Sequence, residues 1–344
     1  MTYNRRLPVY LIIDCSESMA GEGFDAVNQG LAAMIGQLRG NPMALETAAI
    51  SVITFASSAQ QVVPLTDILK FQMPRFKMGS GTALGAALRL WLDCMSREVV
   101  RTTAEQKGDF KPICFLLTDG EPTDSWESVA DQVRTTVVGK KANVIAVACG
   151  PDVDLNKLRR ITETVLVMKQ AEPSSFSEFF KWVSASVSMA SQKLETAGEQ
   201  GMGLPNLPQN VEVAQPGGGE RPVPDRYVFI HSRCVKTKGF YIMRYQKQAG
   251  EGRTAVYRGV ASHRVDDFEF GEGAQGAGGL QISTSALKGH LPCPYCQNPW
   301  WAMCANDHIH CCPPAQGPVT LTCPWCNSTS RYGEASFDVG RGIG

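Results

Sequence analysis

Short apolar runs alternate with segments of helical periodicity from about residue 9 to residue 193. The apolar runs are rich in β-branched residues and almost continuous, which is typical of strands buried on both faces. They lie at 9–13, 48–56, 61–65, 112–118, 143–149 and 164–168. The intervening segments repeat apolar side chains at helical spacing, as at Phe24, Val27, Leu31, Ile35 and Leu38. This alternation predicts an α/β domain with a doubly wound, mostly parallel sheet covered by helices on both faces.

The pattern changes after residue 195. Residues 196–224 are rich in glycine and proline and show no periodic apolar face, so they predict a linker. Short runs of alternating polarity follow, including YVFIH, GFYIMRYQ and TAVYRGVA, and they predict a small β-rich domain. The expected organisation is a first domain at 1–195, a linker at 196–224 and a second domain at 225–344, with a zinc-ribbon-like module at about 288–330.

Composition places the chain among ordinary globular proteins. Its 344 residues are enough for two domains, and 43% are hydrophobic while 19% are charged. Lys plus Arg equal Asp plus Glu at 33 each, so no global charge favours nucleic acid or an anionic membrane. The apolar run at 9–13 is too short for a signal peptide, and no run is long enough to span a membrane. We therefore expect a cytoplasmic protein without membrane contact, for which nucleic acid is an unlikely partner.

Hydroxyl and carboxylate side chains occur in three loops, two of which directly follow predicted strands. Asp14, Ser16 and Ser18 come directly after the first strand, Thr82 lies in a glycine-rich loop before a helix, and Asp119 follows a very apolar strand. In open α/β sheets, ligands collect at the carboxyl ends of the strands. The oxygen donors of these side chains suit Mg²⁺ or Mn²⁺. The alternative is that the same side chains only cap helices and turns.

An enzymatic interpretation has less support in the sequence. Phosphoaspartate hydrolases carry a second carboxylate two residues after the first, and Ser16 occupies that position here. Neither a G-x-x-x-x-G-K-[ST] phosphate loop nor a G-x-S-x-G serine motif is present. Cys15 has no histidine before His231 to activate it, so a buried structural thiol is the better interpretation. We therefore predict that the protein is not an enzyme.

Cysteine residues are concentrated in the second half of the chain. Two C-P-aromatic-C knuckles, Cys293 with Cys296 and Cys323 with Cys326, predict one Zn²⁺ site with four thiolate ligands. The segment between the knuckles offers five more candidates, four of which could hold a second zinc ion: Cys304, His308, His310, Cys311 and Cys312. Disulfides or free thiols are the alternative. Trp300, Trp301 and Trp325 are expected to pack the small core rather than stack on bases.

The sequence D-x-S-x-S at Asp14, Ser16 and Ser18, with SGTALG and TDG further on, resembles the metal-ion-dependent adhesion site of von Willebrand factor A domains. The resemblance covers roughly residues 7–195. It implies that the hydroxyls of Ser16 and Ser18 bind the ion directly, that Thr82 does so in the ligand-bound form, and that Asp14 and Asp119 act directly or through water. It also implies a non-enzymatic domain whose metal takes a Glu or Asp side chain from a partner protein.

The combination of DCSESM, FLLTDGEPTD and LKGHLPCPYC resembles TerY-type proteins, which are linked with tellurite resistance and phage defence. This resemblance implies association with a Ser/Thr protein kinase and a metal-dependent protein phosphatase. The predicted function is a non-catalytic, metal-dependent adaptor or scaffold in stress or phage-defence signalling. The alternatives are a metal-dependent phosphohydrolase and a regulatory subunit of a metal-chelating machine.

Overall fold

A computed structural model of the chain divides into two compact units, Met1–Phe76 with Thr82–Pro222, and Lys77–Gly81 with Val223–Gly344. It describes residues 5–20, 22–150, 153–169, 172–196, 205–214, 227–250, 255–265, 268–269, 281–312, 318–333, 338–340 and 342–343. No helix within these ranges combines the length and the apolar character needed to cross a membrane.

The strands up to residue 213 are β1 (Leu7–Asp14), β2 (Ala48–Phe55), β3 (Ala59–Asp67), β4 (Met78–Gly79), β5 (Ile113–Thr118), β6 (Asn143–Cys149), β7 (Val165–Met168) and β8 (Val211–Val213). The short strand β4 belongs to the second unit. The helices are α1 (Glu22–Arg39), α2 (Pro42–Thr47), α3 (Leu84–Glu98), α4 (Glu127–Thr136), α5 (Leu155–Ile161) and α6 (Pro173–Thr196). The helices α2 and α5 were not predicted, because each is too short to show a clear periodic face.

The first unit contains a seven-stranded sheet in the order β3-β2-β1-β5-β6-β7-β8. The five central strands are parallel, and the edge strands β3 and β8 are antiparallel to their neighbours. Alternate residues of β1 point to opposite faces: Val9 and Leu11 pack with α1 and α6, whereas Tyr10 and Ile12 pack with α3 and α4. These features confirm the predicted doubly wound sheet with helices on both faces.

Part of the predicted linker belongs to the first unit. The strand β8 pairs with β7, and the side chain of Val211 is buried in the core. The indole Nε1 of Trp182 on α6 donates a hydrogen bond of 3.1 Å to the carbonyl of Pro205. The strand β8 was not predicted, because three residues are too few to establish an alternating pattern and the segment around them is rich in proline and glycine.

The second unit is rich in β-structure, as predicted. Its strands are β9 (Tyr227–Arg233), β10 (Phe240–Ala249), β11 (Val256–Arg264), β12 (Phe268–Glu269), β13 (Gln281–Ser283), β14 (Leu287–Lys288), β15 (Trp300–Met303), β16 (Ile309–Cys312), β17 (Val319–Thr322), β18 (Thr329–Tyr332), β19 (Asp338–Gly340) and β20 (Gly342–Ile343). The main sheet has the order β14-β11-β10-β9-β16-β15, with β20 paired to β9. Two antiparallel pairs, β13 with β19 and β17 with β18, lie outside this sheet, and β12 pairs with β4.

The apolar core of the second unit includes cysteine side chains. Val228, Ile230 and Met243 from β9 and β10 pack together with the buried Cys293 and Cys311. Cys304 and Cys323 lie in a second, smaller cluster. Thiol side chains therefore make up part of the buried core of the second unit.

Candidate metal centres

The predicted oxygen donors of the first unit meet at the carboxyl end of the sheet. Asp14 ends β1, and its carboxylate accepts hydrogen bonds from the backbone N–H of Ser16 at 2.9 Å and from the hydroxyl of Thr118 at 2.6 Å. The hydroxyls of Ser16 and Ser18 lie 2.9 Å apart, and Ser18 donates a hydrogen bond of 2.7 Å to Asp119. Residues more than 100 positions apart in sequence thus form one connected group of oxygen atoms.

Thr82 belongs to the same group, and a glycine makes room for it. A methyl group added at Gly120 would lie 2.8 Å from the Thr82 hydroxyl, 3.6 Å from the Ser18 hydroxyl and 3.8 Å from a carboxylate oxygen of Asp14. Three of the five predicted donors therefore lie around the position that a side chain at residue 120 would occupy. Asp14, Ser16, Ser18, Thr82 and Asp119 together are called the oxygen site below.

The electrostatics of the oxygen site favour a cation. Burial raises the pKa of Asp14 to about 6, and burial together with the charge of Asp14 raises the pKa of Asp119. Two carboxylates held this close with little solvent repel one another unless a positive charge compensates them. The donors are carboxylates and hydroxyls, which are the oxygen ligands that suit Mg²⁺ and Mn²⁺, so the residues present fit such an ion.

The segment after Asp119 also fixes the position of Thr82. The backbone N–H of Thr82 donates a 2.9 Å hydrogen bond to the hydroxyl of Thr123, and the Thr123 N–H donates a 2.9 Å bond to the Thr82 carbonyl. The carboxylate of Asp124 accepts bonds from the first turn of α3, at 2.9 Å from Gly85 and 2.8 Å from Ala86. Neither role was predicted, although Thr123 and Asp124 closely follow the TDG motif in the sequence.

Eight side chains of the second unit form two groups with the geometry of metal sites, and the ligand atoms within each group lie within 4.8 Å of one another. The four-cysteine cluster consists of Cys234, Cys293, Cys296 and Cys311. The histidine cluster consists of Cys304, His308, Cys323 and Cys326.

The predicted grouping of Cys293, Cys296, Cys323 and Cys326 around one ion is wrong. Each knuckle supplies two ligands to a different cluster. The strands β9 and β16 run parallel through the pair Arg233 and His310, and this register brings Cys234 beside Cys311. Spacing along the chain identified each knuckle but carried no information about its partners. Cys234 was missed because CVKTKG contains no second cysteine to complete a C-x2-C pattern.

A repeated turn presents the cluster ligands. Four residues have left-handed backbone conformations with φ of 59°: Lys238, Gln297, Asp307 and Asn327. The N–H of each donates a hydrogen bond of 2.8 or 2.9 Å to the carbonyl of the ligand cysteine that begins its turn, namely Cys234, Cys293, Cys304 and Cys323. Two such turns serve each cluster.

Sulfur atoms in the four-cysteine cluster accept several hydrogen bonds. The Sγ atoms of Cys296 and Cys311 are 3.5 Å apart, and the Val235 N–H donates to the Cys311 Sγ at 3.3 Å. The side-chain amide of Asn298 also donates to the Cys311 Sγ, at 3.6 Å. The hydrogen bond from Cys311 lowers the pKa of Cys293 to about 5. The lowered pKa favours the thiolate form of Cys293, which is the form that binds metal, whereas burial raises the pKa of Cys296 and the hydrogen bond with Cys293 raises the pKa of Cys311.

The histidine cluster has similar dimensions and is more exposed. The Cys304 Sγ lies 3.6 Å from Nδ1 of His308 and 3.9 Å from the Cys326 Sγ. The hydrogen bond from the Ser328 hydroxyl, at 3.0 Å, lowers the pKa of Cys326 to about 5, and the Asn306 amide donates to the same sulfur at 3.4 Å. In a tetrahedral zinc site with bonds of ~2.3 Å, sulfur ligands lie roughly 3.8 Å apart, so both clusters fit zinc.

Two of the predicted candidates lie outside the clusters. His310 is buried, with its Nε2 at 3.0 Å from the Tyr332 hydroxyl and its Nδ1 at 3.1 Å from the Cys311 carbonyl. Cys312 is buried and is absent from both groups. Adjacent strand residues point to opposite faces, which separates Cys312 from the ligand Cys311.

All twelve cysteines of the chain are free of disulfide bonds in the structure. The side chain of Cys15 is buried beside the oxygen site, and its Sγ lies 3.8 Å from the Ile13 carbonyl. Burial and the charges of Asp14 and Asp119 raise the pKa of this thiol. A neutral buried thiol is a poor nucleophile.

Comparison with known proteins shows partial similarities. Matrilin-3 of Gallus gallus is 28% identical over 162 residues, which cover 45% of this chain and 34% of that protein. The chain therefore spans about a third of the length of this relative. Among solved structures, proximal thread matrix protein 1 from the mussel byssus is 18% identical with a TM-score of 0.38, covering 54% of this chain and 46% of the other. The ArnB paralog VWA2 from Sulfolobus acidocaldarius is 12% identical with a TM-score of 0.39, covering 98% and 66%.

Two family descriptions match separate parts of the sequence. Residues 9–182 match the von Willebrand factor type A domain, and residues 225–344 match the TerY-C metal binding domain. The first match contains the oxygen site, and the second contains both cysteine clusters. The chain belongs to the von Willebrand factor type A family and has the TerY-type architecture, in which this domain precedes a TerY-C metal binding domain.

Proposed function

We propose that the chain is a non-catalytic adaptor whose oxygen site holds Mg²⁺ or Mn²⁺ and binds a Glu or Asp side chain of a partner protein. The main support is the meeting of two carboxylates and three hydroxyls at the carboxyl end of the sheet. Hydroxyl ligands neutralise little of the charge of a divalent cation, which leaves it able to attract an anionic oxygen. The absence of a carboxylate at position 16 argues against a phosphohydrolase.

The proposed partners are a Ser/Thr protein kinase and a metal-dependent protein phosphatase, as the TerY-type architecture implies. The proposed setting is a stress or phage-defence response. We also propose a cytoplasmic location, which the twelve free cysteines support, because structural thiols and zinc thiolates persist in reducing compartments.

Substitution of Asp14 tests the oxygen site. In Asp14→Asn, the affinity for Mn²⁺ measured by calorimetric titration is expected to fall at least tenfold, because the variant loses one of the two charges that compensate the ion. Asp93→Asn is the matched control, since Asp93 is exposed and lies near the carboxyl end of α3, outside the oxygen site. Unchanged Mn²⁺ affinity in Asp14→Asn would contradict the assignment.

Partner binding is tested separately with the full-length chain as bait in native cells. Capture of the kinase or the phosphatase, identified by mass spectrometry, is expected with Mg²⁺ and should be lost with EDTA and in Asp14→Asn. The Asp93→Asn variant should capture the same proteins as the wild type. Capture that persists unchanged in Asp14→Asn would show that partner binding does not use the oxygen site.

We further propose that the second unit binds two structural zinc ions, one in each cluster. The ligand atoms of each cluster lie within 4.8 Å of one another, which supports this, and four protein ligands are typical of closed structural sites. Elemental analysis of the wild type should give two zinc ions per chain, and Cys304→Ala should give one. Cys312→Ala is the matched control, because Cys312 is a buried cysteine outside both clusters, and it should retain two. Loss of zinc in Cys312→Ala with retention in Cys304→Ala would contradict the ligand assignment.

A further inference from the structure

The aromatic residue of each knuckle connects its cluster to the main sheet. The Tyr295 hydroxyl donates a 2.9 Å hydrogen bond to the carbonyl of Phe240, which begins β10. Trp325 occupies the same position in the other knuckle, and its Nε1 donates a 2.7 Å bond to the carbonyl of Ile309 in β16. Each ring therefore couples the conformation of a knuckle to a strand.

Phe240 contacts both knuckles. Its carbonyl binds Tyr295, and its ring packs edge-on against Trp325 with a centroid distance of 5.9 Å and an interplanar angle of 86°. The side chain of Phe240 is buried, with 8% exposed. A shift of either knuckle therefore displaces a residue that supports the other, because closely packed interiors transmit strain.

Two short segments of the chain also connect the clusters, because each contains a residue at Trp325 and, one or three positions later, a ligand of the four-cysteine cluster. Arg233 places its guanidinium 4.3 Å from the centre of the Trp325 ring, and the next residue, Cys234, belongs to the four-cysteine cluster. His308 of the histidine cluster is stacked on Trp325, with centroids 5.6 Å apart and planes at 8°. Cys311 of the four-cysteine cluster follows His308 by three residues.

We propose that the two clusters bind zinc with positive coupling, and that Trp325 and Phe240 are the positioning residues that carry this coupling. The inference rests on the proposed assignment of one zinc ion to each cluster. A closed histidine cluster holds Trp325 against Phe240, Arg233 and the Ile309 carbonyl. These contacts stabilise the strand ends that present Cys234 and Cys311. Binding at either cluster then lowers the free-energy cost of ordering the other.

The test uses Trp325→Leu in the full-length chain, because this substitution retains all eight ligands. Cobalt titration of metal-free protein reports the two clusters separately, since four-sulfur and three-sulfur, one-nitrogen sites give Co²⁺ different absorption bands. The substitution is expected to weaken binding at the four-cysteine cluster by about 5- to 150-fold, the usual range of coupling between sites. Trp325→Phe should restore part of this loss. Trp300→Leu is the control, because Trp300 is an exposed tryptophan, and it should leave the affinity unchanged.

Reciprocity provides a second readout that a direct, one-sided disturbance of one cluster by a substitution in the other would not reproduce. Cys304→Ala should weaken Co²⁺ binding at the four-cysteine cluster by the same factor by which Cys234→Ala weakens binding at the histidine cluster. Unequal factors, or an unchanged four-cysteine cluster in Trp325→Leu, would overturn the coupling. In those cases, two zinc ions in the wild type would leave the zinc assignment intact. Fewer than two would overturn that assignment and the coupling with it.

Discussion

At the scale of single residues, Gly120 determines whether the oxygen site can form. In Gly120→Ala, the added methyl group would lie 2.8 Å from the Thr82 hydroxyl, closer than a carbon atom and an oxygen atom can approach without displacement. We expect the Mn²⁺ affinity to fall by at least tenfold, measured by calorimetric titration, and the stability of the first unit to fall by about 1–3 kcal/mol.

Gly36→Ala is the control for this substitution. A methyl group at Gly36 would meet no atom within 4 Å, and this residue lies within α1. Alanine is the better helix former, so we expect a gain in stability of about 0.5–1 kcal/mol and no change in Mn²⁺ affinity. Equal Mn²⁺ affinity in both variants would show that the space around Gly120 is not needed for the ion.

At the scale of elements, α3 begins at Leu84 without a cap from the preceding residue, because the side chain of Ala83 cannot accept a hydrogen bond. The carboxylate of Asp124 accepts bonds from Gly85 and Ala86 instead. In Asp124→Ala, the first turn of α3 loses these bonds and a favourable negative charge, so we expect a loss of about 1–2 kcal/mol in urea denaturation.

The matched control is Asp93→Ala, near the carboxyl end of the same helix. Asp93 is exposed, and a negative charge near this end of a helix is mildly unfavourable, so its removal is expected to change the stability by less than about 0.5 kcal/mol. If the two variants were equally stable, Asp124 would not be the cap of α3. A lower Mn²⁺ affinity in Asp124→Ala alone would show that the cap also positions Thr82.

At the scale of the whole molecule, the two units depend on different sources of stability. The first has an extensive apolar core on both faces of its sheet, whereas cysteines occupy part of the core of the second. A zinc-selective chelator in buffer with Mg²⁺ is therefore expected to abolish the melting transition of the second unit and to preserve that of the first. Structural zinc contributes on the order of 10 kcal/mol per ion in small modules, which is more than the total stability of many domains.

Differential scanning calorimetry measures both transitions in one experiment. The chelator saturated with zinc beforehand is the control and should leave both transitions in place. A second unit that keeps its transition after complete zinc removal would show that its apolar core is sufficient. Loss of both transitions would show that the first unit requires the second for its stability.

The architecture of the first unit could be predicted from the amino-acid sequence. The apolar runs from β1 to β7 and the helical stripes between them carry enough buried surface to specify a doubly wound sheet. The oxygen donors could also be predicted, because each lies in a loop next to the strand or helix that positions it. Three motifs at the carboxyl ends of parallel strands are brought together by the sheet itself, so knowledge of the fold is enough to group them.

The grouping of the cysteines of the second unit depends on the fold and could not be predicted from the sequence. The spacing C-x2-C identifies two ligands on one turn, but the other ligands come from turns and strands up to 77 positions away, as with Cys234 and Cys311. Their proximity depends on the parallel register of β9 with β16, which involves a single residue pair and leaves no periodic pattern in the sequence. His310 in β16 lies against Tyr332, whereas His308 lies beside Cys304, and residue type alone could not distinguish the two histidines.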